Sequence, residues 1–199
     1  LAAPASAETI ATAITQPVKT STIKNGAADA ITITKDGSVK PASGTAVTQD
    51  SNHAVTNGGA IAIGNANDSA GIVAVAGASG DIVNSGTITI DEPYAPTDTD
   101  NDGDLDGPFA LGSNRFGIRT DGAHGGKIVN SGTIKAVASG TASANGATAT
   151  AILDRSGEVD LVSNSGTISA AGASAGSNVA IDLSANDRGA RIGQTVVAS

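Results

Sequence analysis

The residues of this chain best able to do chemistry lie in one short run. Asp98, Asp100, Asp102, Asp104 and Asp106 occupy alternate positions, with Gly103 among them. Carboxylates packed this closely repel one another unless a cation neutralises them. A hard cation such as calcium takes roughly six to eight oxygens at about 2.3–2.6 Å. The pattern Asp-x-Asp-x-Asp-Gly is a loop that can wrap one. Asp98, Asp100 and Asp102 would supply carboxylates at the first, third and fifth loop positions. Gly103 permits the sharp turn at the sixth. Asp104 offers its backbone carbonyl at the seventh, and Asp106 binds directly or through water at the ninth. The expected cofactor is one structural Ca2+ held by Asp98, Asp100, Asp102, Asp104 and Asp106.

The twelfth position is Phe109 rather than the bidentate Glu of an EF-hand. The loop therefore resembles the shorter bacterial and thrombospondin-like calcium loops. Asp91, Glu92 or Asp121 is available to complete the shell. The run sits in an insertion, residues 91–116, whose composition departs from the rest. It holds seven of the 19 acidic residues, three of the six Pro, and all three aromatics, Tyr94, Phe109 and Phe116. A loop this long inside regular structure is functional or separately stabilised. It reads as a small calcium-folded lobe with those aromatics as its local core.

Other chemistry is sparse. Gly172-Ala173-Ser174-Ala175-Gly176 fits Gly-x-Ser-x-Gly, but that motif needs a strand–turn–helix setting and a later His. Both histidines, His53 and His124, precede it, and each reads as a turn or surface residue. No phosphate-binding loop, dinucleotide fingerprint or zinc-binding His pair is present. With no Cys there is no thiol nucleophile, zinc–thiolate site or disulfide. The enzyme alternative is what a resemblance to calcium-dependent polysaccharide lyases implies: a lyase or glycosidase with Arg115 or Arg119, after the Asp cluster, as the base.

The elements that must position the acidic loop come from an internal repeat. Asn-Ser-Gly-Thr-Ile occurs at 84–88, 130–134 and 164–168. Each copy has an Ile 12 residues before its Asn (Ile72, Ile118, Ile152) and an apolar residue two before it (Ile82, Ile128, Val162). Gly80, Gly126 and Gly157 punctuate the stretch between. Val55-Thr56-Asn57-Gly58-Gly59-Ala60-Ile61 has the same shape, and Ser43-Gly44-Thr45-Ala46-Val47 is a looser copy. Ala180-Ile181-Asp182-Leu183 and Gly193-Gln194-Thr195-Val196 echo its two halves near the end. Thr87-Ile88-Thr89-Ile90 alternates with period two, as a half-buried strand does. Ile88, Ile134 and Ile168 then face inward, as do Ile90, Ala136 and Ala170. Asn and Gly supply the bend, since both tolerate left-handed backbone.

Stacking these copies gives a solenoid of β coils with Ile columns inside and a ladder of Asn side chains. The expectation is an all-β, single-stranded, right-handed parallel β-helix with one calcium-loop-like insertion. It has roughly six to eight coils and a length of about 30–40 Å. An aromatic content of 2% also suits thin, closely spaced layers. The strong copies start 46 and 34 residues apart, so the excess over a coil of roughly 20–30 residues sits in loops or degenerate coils.

The net charge of −8 argues against nucleic acid as a partner and against docking on anionic lipid. Ala5-Ser6-Ala7 fits a small-x-small cleavage site, so residues 1–7 read as the end of a secretory signal. Residues 8–90 are then N-terminal coils, 91–116 the insertion, and 117–199 further, truncated coils. Over 8–199 the repeats, the exported start and the lack of Cys resemble the passenger region of a Gram-negative autotransporter (type V secretion). That resemblance implies a right-handed β-helix exported across the outer membrane by a C-terminal barrel, its only membrane element. The protein then lies at the cell surface or outside the cell. It implies a non-catalytic adhesin or stalk, whose partners are glycans or proteins of a host or neighbouring cell.

Overall fold

The computed structural model describes residues 7–92, 97–103, 114–122, 125–138, 148–172, 177–186 and 189–194. None of them is helical; they form nineteen strands. Three short strands make each coil. The first coil holds β1 (Glu8–Ile10), β2 (Ala13–Ile14) and β3 (Val18–Lys19). The second holds β4 (Ile31–Ile33), β5 (Ser38–Val39) and β6 (Thr45–Gln49). The third holds β7 (Val55–Asn57), β8 (Ala60–Gly64) and β9 (Ser69–Ala74). The fourth holds β10 (Ile82–Asn84), β11 (Thr87–Asp91) and β12 (Asn114–Thr120). The fifth holds β13 (Lys127–Asn130), β14 (Thr133–Ala138) and β15 (Thr148–Asp154). The sixth holds β16 (Leu161–Asn164), β17 (Thr167–Gly172) and β18 (Asn178–Asp182), and β19 (Arg191–Gln194) begins a seventh.

Every third strand is a hydrogen-bonded neighbour, which gives three parallel sheets. Sheet A runs β1-β4-β7-β10-β13-β16-β19, sheet B from β2 to β17 and sheet C from β3 to β18. The chain is a three-sided parallel β-helix, as its repeat requires. Six steps at about 4.8 Å each make a stack about 29 Å long.

Register explains the repeat. Ile31, Val55, Ile82, Ile128 and Val162 form one inward column in sheet A. Ile61, Ile88, Ile134 and Ile168 form another in sheet B. Val47, Ile72, Ile118, Ile152 and Ile181 form the third in sheet C. From Val47 to Val162 these side chains are 0% exposed. Burying each contributes about 1.5–3 kcal/mol. A one-residue slip would turn a whole column to solvent, so the register is fixed.

Two sequence expectations need correction. The Asn-Ser-Gly turn is not made by left-handed backbone: Asn84, Asn130, Asn164, Gly86, Gly132 and Gly166 all lack positive φ. Glycine is needed there for space. A Cβ on Gly86 would lie 2.1 Å from the Gly59 carbonyl oxygen, and one on Gly132 2.0 Å from that of Gly86. Those same carbonyls accept from the Thr87 and Thr133 N–H groups, so the coils cannot part to make room. Second, Ser43–Val47 is not a copy of the turn. Val47 pairs with Ile72 in sheet C, while the strand after the second coil's first corner is Ser38–Val39, in register with Ile61. Burial of Val47 decided the register over the local resemblance.

The Asn ladder forms as the stacking required. Asn57 Nδ2 donates to Asn84 Oδ1 at 2.8 Å, Asn84 to Asn130 at 2.7 Å and Asn130 to Asn164 at 2.7 Å. Each amide also donates to the carbonyl of the Thr that opens the next coil's sheet B strand. The corner from sheet A to sheet B is therefore the same two-residue turn in coils three to six. The longest connection, residues 92–113, leaves from the corner between sheets B and C, as does 139–147, while the corner from sheet C back to sheet A carries residues 20–30 after the first coil.

Candidate functional site

The acidic loop grows from the end of β11. Asp98, Asp100 and Asp102 place carboxylate oxygens within 4.8 Å of one another. Local hydrogen bonds curl the backbone around them. The Gly103 N–H donates to Asp98 Oδ2 at 3.1 Å, and the Asp102 N–H to Asp100 Oδ1 at 3.3 Å. Asn101 and Gly103 carry φ of 62° and 96°, the left-handed turn assigned to Gly103 from sequence. Asp98 Oδ1 is shielded from solvent and finds no hydrogen-bond donor among the described residues. A shielded, unsatisfied carboxylate oxygen among other carboxylates fits a hard cation with oxygen ligands. Asp104 and Asp106 lie outside the described residues, as do Tyr94, Phe109, His124, Ser174 and the first six residues, which include Ala5 and Ser6 of the cleavage motif.

The three acids considered for the rest of the shell are engaged by cations instead. Asp91 lies 3.4 Å from Lys135 Nζ in the next coil. Asp121 accepts both Nε and Nη2 of Arg119, at 2.9 and 2.8 Å. Glu92 Oε1 meets Arg115 Nη1 at 2.5 Å, with both side chains at most 4% exposed. That last pair roots the loop. Arg115 Nε donates to the Ala66 carbonyl and Nη1 to that of Val137, so one guanidinium joins coils three, four and five. The lyase alternative offered Arg115 as a candidate base; the structure buries it at the corner. A buried ion pair costs desolvation that its partner and carbonyls must offset. The strands reach Asp91 on one side of the insertion and resume at Asn114 on the other.

Phe116 belongs to the outer face of sheet C, packed with Ala70 and Val73 and flanked by Val75 and Leu153. The guanidinium carbons of Arg119 and Arg155 stand 5.2 and 5.7 Å from its ring centre. Arg155 also approaches Asp121, at 3.9 Å.

The exit corner of sheet C carries a polar clip. Asp154 Oδ1 accepts from Thr120 Oγ1 at 2.8 Å, from Ser156 N and Oγ, and from Gly157 N at 3.1 Å. Its Oδ2 accepts from Asn186 Nδ2 at 3.0 Å, so one carboxylate binds coils four, five and six. Burial pushes this carboxyl up, but the donors from Ser156, Asn186, Thr120 and Gly157 outweigh it and hold it below the usual carboxylate range. Asp50 behaves alike at the lower end. Burial raises it, and the Ser21 hydroxyl and N–H with the Thr20 hydroxyl bring it below the usual value. Sequence reasoning passed over Gln49, Thr120 and Asp154. Each stands two residues after a column residue (Val47, Ile118, Ile152), so period-two parity already placed it inside.

Compared with protein-family models, curated proteins and solved structures, the chain finds no match.

Proposed function

We propose that this chain is the β-helical scaffold of an exported bacterial protein of the autotransporter-passenger kind. It is a non-catalytic rod that displays an acidic, calcium-stabilised loop for adhesion to glycans or proteins of another cell. The observation that supports this reading is where the insertions sit. The A-to-B corner keeps a two-residue turn for four coils, while 92–113 and 139–147 leave from the B-to-C corner. A regular stack whose longest loop stands out from one edge suits display. Asp98, Asp100 and Asp102 would hold the ion, which would neutralise the loop and cross-link its backbone. Arg115, required as a base by the lyase alternative, is 1% exposed and committed to Glu92.

The test replaces residues 93–113 by a short Gly-Ser link, leaving Glu92 and Asn114 in place. Cell adhesion should be lost while the β-sheet signal survives. Unchanged adhesion would instead leave the chain as a stalk that sets distance. Limited proteolysis with calcium and with chelator checks the ion, which should slow cleavage within 93–113; identical cleavage sinks that assignment. Reading the frame past Ser199 tests the export route. Alternating strands of about ten residues there, enough for a membrane barrel, are expected.

A further inference from the structure

The outer face of sheet C differs from the other two. Sheets A and B present rows of half-buried Thr, Val, Ala and Ser, such as Thr32, Thr56, Val83 and Val129 in register on sheet A. Across β12, β15 and β18, sheet C forms a groove of about 350 Å³, distinct from the cavity of about 490 Å³ that Lys127, Leu161 and Arg191 line on sheet A. Its floor is aliphatic, from Leu153 and Val179, and its polar lining includes Thr150, Arg155, Ser177 and Asp182. Asp182 pairs in register with Leu153, so the carboxylate stands beside the aliphatic floor, one coil above it.

The side chains differ in how far they are already committed. Arg119 is held by both oxygen contacts to Asp121. Arg155 reaches that carboxylate at 3.9 Å and remains 56% exposed. Asp182 spends Oδ1 on the Ser184 N–H at 2.9 Å, and its second oxygen meets no donor among the described residues. The groove thus offers a charged donor and a charged acceptor over an apolar floor.

Charge selects the class of ligand. The charged lining of the groove is Arg155 and Asp182, so the groove is locally neutral in a chain of net charge −8. A polyanion gains nothing from the groove and is repelled by the rest of the chain. Phe116 is 5% exposed beneath two guanidinium groups, so no bare ring is left for a flat aromatic ligand to stack on. What remains suits a sugar ring, whose adjacent hydroxyls both donate and accept and whose C–H face is apolar.

We infer that this groove binds a neutral saccharide chain. Arg155 donates to its hydroxyls, Asp182 accepts from them, and Leu153 and Val179 lie under its apolar face. This goes beyond the adhesin reading, in which the acidic loop makes the contact with the other cell, and gives the rod a second binding site. The site is separate from the acidic loop.

The test is a glycan array probed with the purified whole chain. Neutral hexose and N-acetylhexosamine oligosaccharides are printed beside sialylated, uronate and sulfated ones, and the strongest hit is titrated by calorimetry. Neutral glycans should bind. Asp182→Ala and Arg155→Ala should each weaken binding by at least about tenfold, the value of one hydrogen bond to a charged group. Both side chains reach solvent, so thermal melting should not move. The chain with 93–113 replaced should bind as the parent does. A blank array, a preference for acidic glycans, or full affinity in both variants would overturn the inference. Adherent cells with a blank array would sink this inference alone. Glycan binding without cell adhesion would sink the adhesin reading and leave the groove standing.

Discussion

Replacing Asn130 in the middle of the buried ladder by Ala and by Asp separates two roles of its amide. Asn130 is 1% exposed. It accepts from Asn84 Nδ2 at 2.7 Å and donates to Asn164 Oδ1 at 2.7 Å. The same Nδ2 also faces the carbonyls of Gly132 and Thr167 at 3.2 and 3.3 Å. Ala removes two short amide–amide bonds and the bridge to the next coil. Its neighbours are not left bare, because Asn84 keeps the Gly86 and Thr133 carbonyls and Asn164 keeps the Gly166 N–H. At about 1 kcal/mol per net hydrogen bond, plus a small buried void, the cost is about 2–4 kcal/mol. For a chain of this length that lowers the melting temperature by roughly 5–15 °C. Asp has nearly the same shape but donates nothing. It would set a carboxylate against the Asn164, Gly132 and Thr167 oxygens in a site closed to water. Asn130→Asp should therefore be worse than Asn130→Ala at neutral pH, and the gap should close on acidification as a protonated Asp regains one donor. Thermal melts followed by far-ultraviolet circular dichroism at neutral and acidic pH measure both. An Ala variant within about 0.5 kcal/mol of the parent, or an Asp variant milder than Ala, would refute the ladder as a stabilising element.

Three other perturbations follow from the same geometry. Gly132→Ala puts a Cβ 2.0 Å from the Gly86 carbonyl oxygen, while Gly125 has nothing within 4 Å; urea titration should show a loss of at least about 3 kcal/mol for the first and about zero for the second. Arg115→Met takes the guanidinium away from buried Glu92 and should cost about 3–5 kcal/mol, and adding Glu92→Gln should restore part of it, as a double-mutant cycle would measure. Asp154 and Asp50 both titrate below their unfolded values, so each binds fewer protons when folded. Their contribution is complete above the unfolded carboxylate pKa of about 3.9 and is lost as pH falls through it toward the lower folded value. Stability measured against pH should drop on acidification, and Asp154→Asn should flatten part of that drop.

The repeat made most of the coil legible. Three Asn-Ser-Gly-Thr-Ile copies, each with an apolar residue 12 and two positions earlier, located the sheet A and sheet B columns and the Ile72–Ile118–Ile152 column of sheet C. Period-two alternation and fixed spacing are local properties, and stacking converts them directly into register. The Asn ladder was legible for the same reason, because identical side chains at identical positions must meet their own kind one coil away. The acidic alternation likewise marked Asp98, Asp100 and Asp102 as a group, since a short loop brings alternate residues together whatever surrounds it.

Other features were decided by contacts between coils. Glycine at the turn reads as a demand for left-handed backbone, yet Gly86 and Gly132 are required because the carbonyl of the coil below stands where a Cβ would go. Arg115 entered only as a candidate base, yet Glu92, Ala66 and Val137 surround it from three coils. Asp91, Glu92 and Asp121 read as spare ligands for the acidic loop until Lys135, Arg115 and Arg119 arrive beside them. Sequence by itself determined which side chains point inward and how often the chain turns, because those depend on each residue and its neighbours along the strand. The tertiary structure alone decided which charges neutralise one another and which glycines are irreplaceable. Apart from Arg119 beside Asp121, both depend on atoms that lie next door in space and 20 or more residues away along the chain.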